Sequence, residues 1–502
     1  MPAATRTVHD VGAAELPRRA RELLAAGHRL ALVAAHHDGD GAPGGRALRV
    51  VYLFLAGPPD TRTELHVRLD ADRPRVPSLA GLSFPAGRFE REMHDLHGVE
   101  PLDHPLPRRL VRHFHWPRGW YPLRPEAGPP PPFGEPEGPY PFLQVEGDGV
   151  YEIPVGPVHA GLIEPGHFRF SVVGETIIKL KARLWFVHKG VERLFQGRDT
   201  DAGLRLAERV SGDTAVGHAL AYCLAVEEAT GTDVPEPARQ ARALLLEMER
   251  VDNHVADLGA LCNDVGHSVL NAHAQRIREQ LLRLNQQTTG HRLLRGGVHP
   301  GGAALLALPS PAAVQALRAD IREVAHLALG HSTVRDRFTG TAQLPMQAAR
   351  DLGCLGYVAR ASGVPADARL AHPFHPAAAP KAVPVRTTGD VLARFLVRAE
   401  EIDLSLDLVD DLAAALGAPG TYTVPLAEVR RPASGTGVVE GWRGTVATRV
   451  ETAADGTLTR VKPVDPSFFN WPALPVALKS TIVPDFPLAN KSFNLSYAGN
   501  DL

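Results

Sequence analysis

A chain of 502 residues that is 44% apolar and 22% charged has the composition of a soluble globular protein, and it is too long for one ordinary core. Its formal net charge of −2 gives no electrostatic ground for a nucleic-acid partner, and no apolar run approaches the ~20 residues that span a bilayer. Its three cysteines, Cys223, Cys262 and Cys354, stand far apart, which excludes a disulfide framework or a CxxC metal clip.

The first 30 residues lack the apolar core of a signal peptide, so a cytoplasmic chain is expected. Within them, ELPRRARELLAAG sets Leu16, Ala20, Leu23 and Leu24 on one helical face. HRLALVAAHHD, ALRVVYLFLAG and TELHVRLD then read as strands, which predicts a small α/β sheet domain over residues 1–124. Residues 125–141 hold eight prolines, and such a segment is stiff and extended, so 125–150 is read as a linker.

The second domain, 151–502, opens with the strand-like YEIPVGPVHAG and HFRFSVVGETIIKLKARL. Long amphipathic helices follow. Ala241, Leu244, Met248, Val251, Val255, Leu258 and Leu261 form one stripe between Gln240 and Asp264. Further stripes start at Leu270, at Val314 and at Leu392, the last running to Leu412. The expected class is α+β: the small sheet domain, the linker, then a mainly helical bundle with flanking strands. The last ~70 residues, rich in Pro and Gly, are expected to return to strand and loop.

Histidine is dense in REMHDLHGVEPLDHPLPRRLVRHFHWP, but neither its spacing nor a nearby carboxylate cluster completes a metal site. The same segment resembles the signature of the smaller of two adjacent peripheral-arm subunits of respiratory complex I. It carries Glu90, Arg91, Glu92, Asp95, Gly98, His104, Pro105, Arg108 and Arg109, with His94 and His97 in aromatic slots. The resemblance implies a bracing role. Residues 151–502 resemble the larger neighbour, which walls the quinone pocket and is homologous to the large subunit of nickel–iron hydrogenases. The likeness runs through Gly156-Pro157, FVHKGVER, Arg209, His218, RGGV at 295–298, RASGV at 360–364 and VKPVDPSFFN. A chain joining both regions resembles the fused subunits of hydrogenase-4, formate-hydrogenlyase and some NADH-quinone oxidoreductases.

The resemblance implies a hydrogenase-type fold and a set of site residues. The four metal-binding cysteines of true hydrogenases fall on Ser211, Thr214, Ser496 and Gly499, so no nickel is expected. If the fold is kept, the C-terminal segment threads back to bring Ser496 near Ser211, with Ser211, Thr214, Asn494 and Ser496 all hydrogen-bonded. His159 and His167 come from the first hairpin, and His167 matches a quinone-binding histidine. Asp264 matches its carboxylate partner, and a quinone-binding tyrosine is replaced by Gly212. Arg209 and His291 match groups that face an iron–sulfur cluster held by a partner subunit. No GxGxxG follows a strand, so dinucleotide chemistry, if any, is expected on another subunit. The implied protein is a peripheral oxidoreductase subunit on the inner face of the cell membrane. It would bind no cofactor itself and would contact an iron–sulfur subunit, membrane-embedded complex-I-like subunits and a possible quinone. The alternatives are an inactive coupling subunit and, against the missing thiolates, a working hydrogenase subunit.

Overall fold

The computed structural model describes residues 5–38, 47–135, 138, 140–160 and 163–502. Pro136, Glu137 and Pro139 of the expected linker, and Gly161 and Leu162 of the first hairpin, lie outside them.

The three predicted N-terminal strands form as Arg29–His37, Ala47–Ala56 and Thr61–Asp70, paired antiparallel in sequence order. A fourth strand, Thr5–Asp10, adds in parallel to Thr61–Asp70. Its polar TRTVHD sequence is mostly exposed, so no apolar alternation announces it. The predicted helix forms as Leu16–Ala25, with Leu16 and Ala20 buried. A second helix, Phe84–His97, packs against Arg29–His37 and ends at Gly98, whose φ of 73° suits glycine.

That second helix carries the bracing signature. Glu90 accepts from Ser78 Oγ and the Leu79 amide, and Asp95 accepts from the amides of Leu110, Val111 and Arg112. Arg91 donates to the carbonyls of Arg108 and Arg109. Each charged group thus ties the helix to the loop on either side of it.

The proline-rich segment lies on the hairpin sheet behind it: Phe142 packs on His167 with centroids 5.5 Å apart, and Tyr140 on Phe114 at 5.4 Å. That sheet is antiparallel, Val150–Val155, His167–Val173 and Thr176–Arg183. Every predicted helical stripe lies in a helix: Glu236–Asp264, Ser268–Thr289, Pro311–Gly330 and Val391–Leu416. The stripe residues face inward and build the bundle core with the helix Ala215–Thr230.

The C-terminal region departs from expectation. Three antiparallel strands, Ala433–Gly441, Gly444–Thr452 and Leu458–Val464, lie on the helix Ala215–Thr230. They approach so closely that a Cβ at Gly437 would sit 1.8 Å from the Ala221 carbonyl oxygen. The chain then becomes helical, not strand and loop, with Pro466–Asn470, Ala473–Ala477, Phe486–Phe493 and Tyr497–Asp501. Pro466 and Pro487 stand in first turns, where a missing N–H costs nothing, so they begin helices instead of breaking them.

The two regions share one core. Phe89 stacks on Phe468 at 4.4 Å, and Lys462 binds Glu92 at 2.8 Å and Glu192 at 2.6 Å, all buried. Arg449 and Arg49 cross the same boundary to Glu64 and Glu451. No helix among the described residues is long and apolar enough to cross a membrane.

Candidate functional site at the C-terminal junction

Ser211 and Ser496, 285 residues apart, meet with their hydroxyl oxygens 2.7 Å apart. Both are buried, as is Thr214. Ser211 also donates to Asp213 Oδ1 (2.9 Å), and Ser496 caps the last helix by accepting from the Gly499 amide (2.8 Å). Thr214 donates to Asp213 and accepts from Trp442 Nε1 at 3.1 Å. Asn494 donates to Asp257 Oδ1 at 2.6 Å. All four polar side chains expected to pair here do so.

Arg443 fastens the junction. Its two Nη atoms donate to the two oxygens of Asp213 at 2.6 and 2.7 Å, and its Nε donates to the Asn494 carbonyl at 2.6 Å. Burial works to raise the Asp213 carboxyl, but the guanidinium holds it down to about 2. Beneath, His218 Nε2 lies 3.0 Å from Asp465 Oδ2, both buried. Glu249 accepts from the Val216 and Gly217 amides at the start of the next helix, and burial pushes its carboxyl up to about 8.

The hairpin brings His159 and His167 together through its backbone. His159 Nε2 donates to the Gly166 carbonyl at 2.7 Å, and His167 Nδ1 donates to the Gly156 carbonyl at 3.1 Å. Tyr497 packs on Gly166: a Cβ there would meet its ring at 2.6 Å, so the C-terminal segment abuts the residue next to His167. His167 and Asp264 are expected to approach directly or through one water; no direct bond joins them, since Nδ1 is taken by Gly156 and the buried His167 Nε2 has no direct partner. Asp264 ends the long helix, where burial raises its carboxyl against the pull of Lys491. Asp257, two turns earlier on that helix, reaches the junction through Asn494, and it also pairs with Arg398 at 2.9 Å. Seven residues put the two on nearly the same face of the helix, so about 10 Å of rise along its axis, not phase, separates them.

Gly212 is exposed, and a Cβ on it would meet nothing within 4 Å. Arg209 projects outward, its Nη1 donating to the Arg205 carbonyl. His291 stands close enough to Arg209 to feel its charge, although burial and Arg295 lower its basicity more. Those two expected residues therefore share one surface.

Comparison with known proteins accounts for this layout. Residues 10–130 match the family described as respiratory-chain NADH dehydrogenase, 30 Kd subunit; 189–263 match nickel-dependent hydrogenase; and 264–436 match respiratory-chain NADH dehydrogenase, 49 Kd subunit. The chain is 32% identical over 470 residues to formate hydrogenlyase subunit 5 of Escherichia coli, covering 90% of this chain and 81% of that one. It belongs to the family of fused 30 Kd/49 Kd-type oxidoreductase subunits. Hydrogenase-4 component G of Escherichia coli is 32% identical over 445 residues, 86% of this chain and 77% of that one. The fused NADH-quinone oxidoreductase C/D protein of Phocaeicola vulgatus is 29% identical over 418 residues, 78% of this chain and 80% of that one. A chain of the membrane-bound sulfane sulfur reductase, an archaeal respiratory membrane complex, superposes with TM-score 0.65 and 25% identity, covering 70% of this chain and 99% of that one.

The match to nickel-dependent hydrogenases makes the junction's donors worth testing against a metal. Ser211, Thr214 and Ser496 offer neutral hydroxyls already committed to hydrogen bonds, not soft thiolates. At the fourth position a Cβ on Gly499 would lie 2.5 Å from Asp465 Cγ, so a carboxylate fills the space a side chain would need. The donor set does not fit a nickel–thiolate centre. Among the described residues the one clustered ligand trio is His36, Asp38 and Glu451. Arg49 sits within it and hydrogen-bonds all three.

Proposed function

We propose that this member of the fused family is a peripheral subunit of a complex-I-like or hydrogenase-4-like membrane oxidoreductase. It walls an electron-acceptor cavity beside an iron–sulfur cluster held by a partner and carries no nickel of its own. The observation that supports this most is the Ser211–Ser496 hydrogen bond: it brings the C-terminal segment to the Ser211–Thr214 loop, the threading that the resemblance to hydrogenases implies, with hydroxyls at the positions that resemblance gives to ligands. Arg209 and His291 form the surface turned to the cluster-bearing partner. His167, with Nδ1–H engaged by Gly156, keeps Nε2 for the oxygen of a quinone-type acceptor; protonated there first, as imidazolium, it would pass that proton to the acceptor oxygen as electrons arrive from the partner. Gly212 leaves room for the acceptor but supplies no hydrogen bond from its side chain. Val158 and Ile163 at the hairpin tip are 87% and 49% exposed, an apolar surface suited to docking on membrane subunits.

A second reading, a coupling subunit without turnover, draws on the same site: His167 has no carboxylate partner and Gly212 replaces the expected tyrosine. The intact complex, purified from its native membrane, separates the readings. Elemental analysis is expected to give far less than one nickel per chain. Quinone reduction is expected to fall at least tenfold in His167→Ala with assembly intact. Stoichiometric nickel overturns the proposal, and quinone turnover indifferent to His167 favours the coupling reading.

A further inference from the structure

A cavity of about 290 Å³ lies where the N-terminal sheet meets the second region, close to the lower bound of ~300 Å³ usual for small-molecule sites. Its walls are the ends of the strand Arg29–His37 and the helix Phe84–His97, the short helix Val191–Phe195 with Gln196, and the start of the strand Leu458–Val464. The lining carries three histidines, two arginines, a glutamine and two threonines and, among the described residues, no carboxylate.

Most of the charge around it is already balanced. Arg460, 3% exposed, binds Glu192, which also holds Lys462 at 2.6 Å; Glu92 takes the same Lys462 at 2.8 Å, so two cations meet two carboxylates. Outside the lining, Glu126 pairs with Arg124 at 3.5 Å, Asp38 with Arg49 at 2.7 Å, and Glu451 with Arg49 and Arg449. Asp455 accepts from Thr457 and lines a neighbouring cavity instead. Arg193 is the lining cation left over. It is exposed, its Nη1 donates to Gln196 Oε1 at 2.9 Å, and among the described residues it has no carboxylate within 4.0 Å. That bond aligns the two side chains and leaves Arg193 Nε and Nη2, and the Nε2 of half-buried Gln196, unengaged within the chain.

His37 Nε2 and His97 Nδ1 lie 3.5 Å apart, a spacing two ligands of one metal ion can share, but the field around them opposes a cation. Burial, with Arg124, His36 and Arg460 behind it, lowers His37 to about 4 against the pull of Glu126; burial, then Arg460, His37 and Lys462, hold His97 well below its ordinary range. Both rings are neutral at neutral pH and offer polar N–H groups without charge. Donors thus face the space from separate walls: Arg193 and Gln196 from one side, half-buried His37 and Thr459 from the strands. A planar carboxylate takes its donors along one edge, whereas a tetrahedral oxyanion presents oxygens in several directions.

We infer that this cavity binds a phosphate group, free or as a small soluble monoester, with Arg193 supplying the charge and Gln196, Thr459 and His37 the further hydrogen bonds. The site is separate from the acceptor cavity and does not rest on the reading of it.

Calorimetric titration of the full chain at fixed ionic strength with inorganic phosphate, glycerol 3-phosphate, sulfate and acetate tests the inference. Phosphate is expected to bind saturably, one per chain, with sulfate competing and acetate at least tenfold weaker. Whichever of phosphate and glycerol 3-phosphate binds more tightly assigns the source, and either upholds the site. Arg193→Gln is expected to weaken phosphate at least tenfold and Gln196→Leu several-fold, while Arg205→Gln, at an exposed arginine outside the lining, leaves it unchanged. No saturable phosphate binding, acetate as tight as phosphate, an unaltered affinity in Arg193→Gln, or an equal loss in Arg205→Gln overturns it. Arg193 is exposed, so its replacement leaves folding intact, which circular dichroism checks.

Discussion

Glu249 links the junction to a measurable pH dependence. It is buried and accepts from Val216 at 2.6 Å and Gly217 at 3.0 Å, the first amides of the helix that follows the Ser211–Thr214 loop. Burial outweighs those two hydrogen bonds, and Asp252 and Asp213 add to it, raising the carboxyl from an ordinary 4.5 to about 8. A carboxyl raised on folding favours the folded state while both states are protonated. Its contribution is whole below pH about 4.5 and falls by about 1.4 kcal/mol per unit as the unfolded chain alone ionises, levelling above about 8. The ceiling is thus about 5 kcal/mol. Glu249→Gln keeps the shape and mimics the protonated form. At pH 5 the variant is expected within ~1 kcal/mol of the parent, the worth of one altered hydrogen bond. By pH 9 it is expected to be the more stable by roughly 3–4 kcal/mol. Denaturant unfolding of both chains at unit pH steps measures the difference, in which titrations common to both cancel. Parallel curves, or a variant that loses ground as pH rises, would refute the reasoning.

Three further outcomes follow from the same geometry. Ser211→Cys with Ser496→Cys is expected to form a disulfide on mild oxidation, read by thiol counting and a mass shift; persistently free thiols at both positions would place the segments apart. Glu401→Ala removes a buried carboxylate shared by Arg360 (2.5 Å), Arg369 (3.1 Å) and His254 (3.0 Å), and because Asp367, Glu440 and Glu247 still pair the two arginines it is expected to cost about 1–3 kcal/mol in denaturant unfolding. Gly499→Ala drives a Cβ to 2.5 Å from Asp465 Cγ and is expected to destabilise by at least ~1 kcal/mol, with partial relief in the double variant carrying Asp465→Gly, a coupling that a double-mutant cycle reads directly.

The bundle was legible because its helices are long. Seven apolar positions between Ala241 and Leu261 recur at steps of three and four, and nothing but a helix places them on one stripe. The edge strand Thr5–Asp10 escaped notice because it buries almost nothing, and the C-terminal helices because none exceeds eight residues, too short for a period to show. The helix-initiating prolines there carry the same letters as loop prolines. The boundary at 124 was a composition break only, since Lys462 with Glu92, and Phe89 with Phe468, close one core across it.

At the junction the sequence supplied the positions through resemblance, but not the reason the loop survives without thiolates. That reason lies in partners no local pattern reveals. Arg443, on a hairpin turn some 230 residues from Asp213, binds that carboxylate with two nitrogens and the Asn494 carbonyl with a third, so one side chain joins loop, hairpin and C-terminal segment. Ser496 spends one oxygen on Ser211 and on the amide of Gly499, and Gly499 in turn is the residue that lets Asp465 approach His218. Each hydroxyl at a position that the resemblance gives to a metal-binding cysteine has a hydrogen-bond duty in holding the C-terminal segment. Cysteines placed at these positions alone therefore cannot build a metal site here: a thiol at 496 would give up the hydroxyl helix cap, and one at 499 would have to displace the carboxylate that keeps His218 in place.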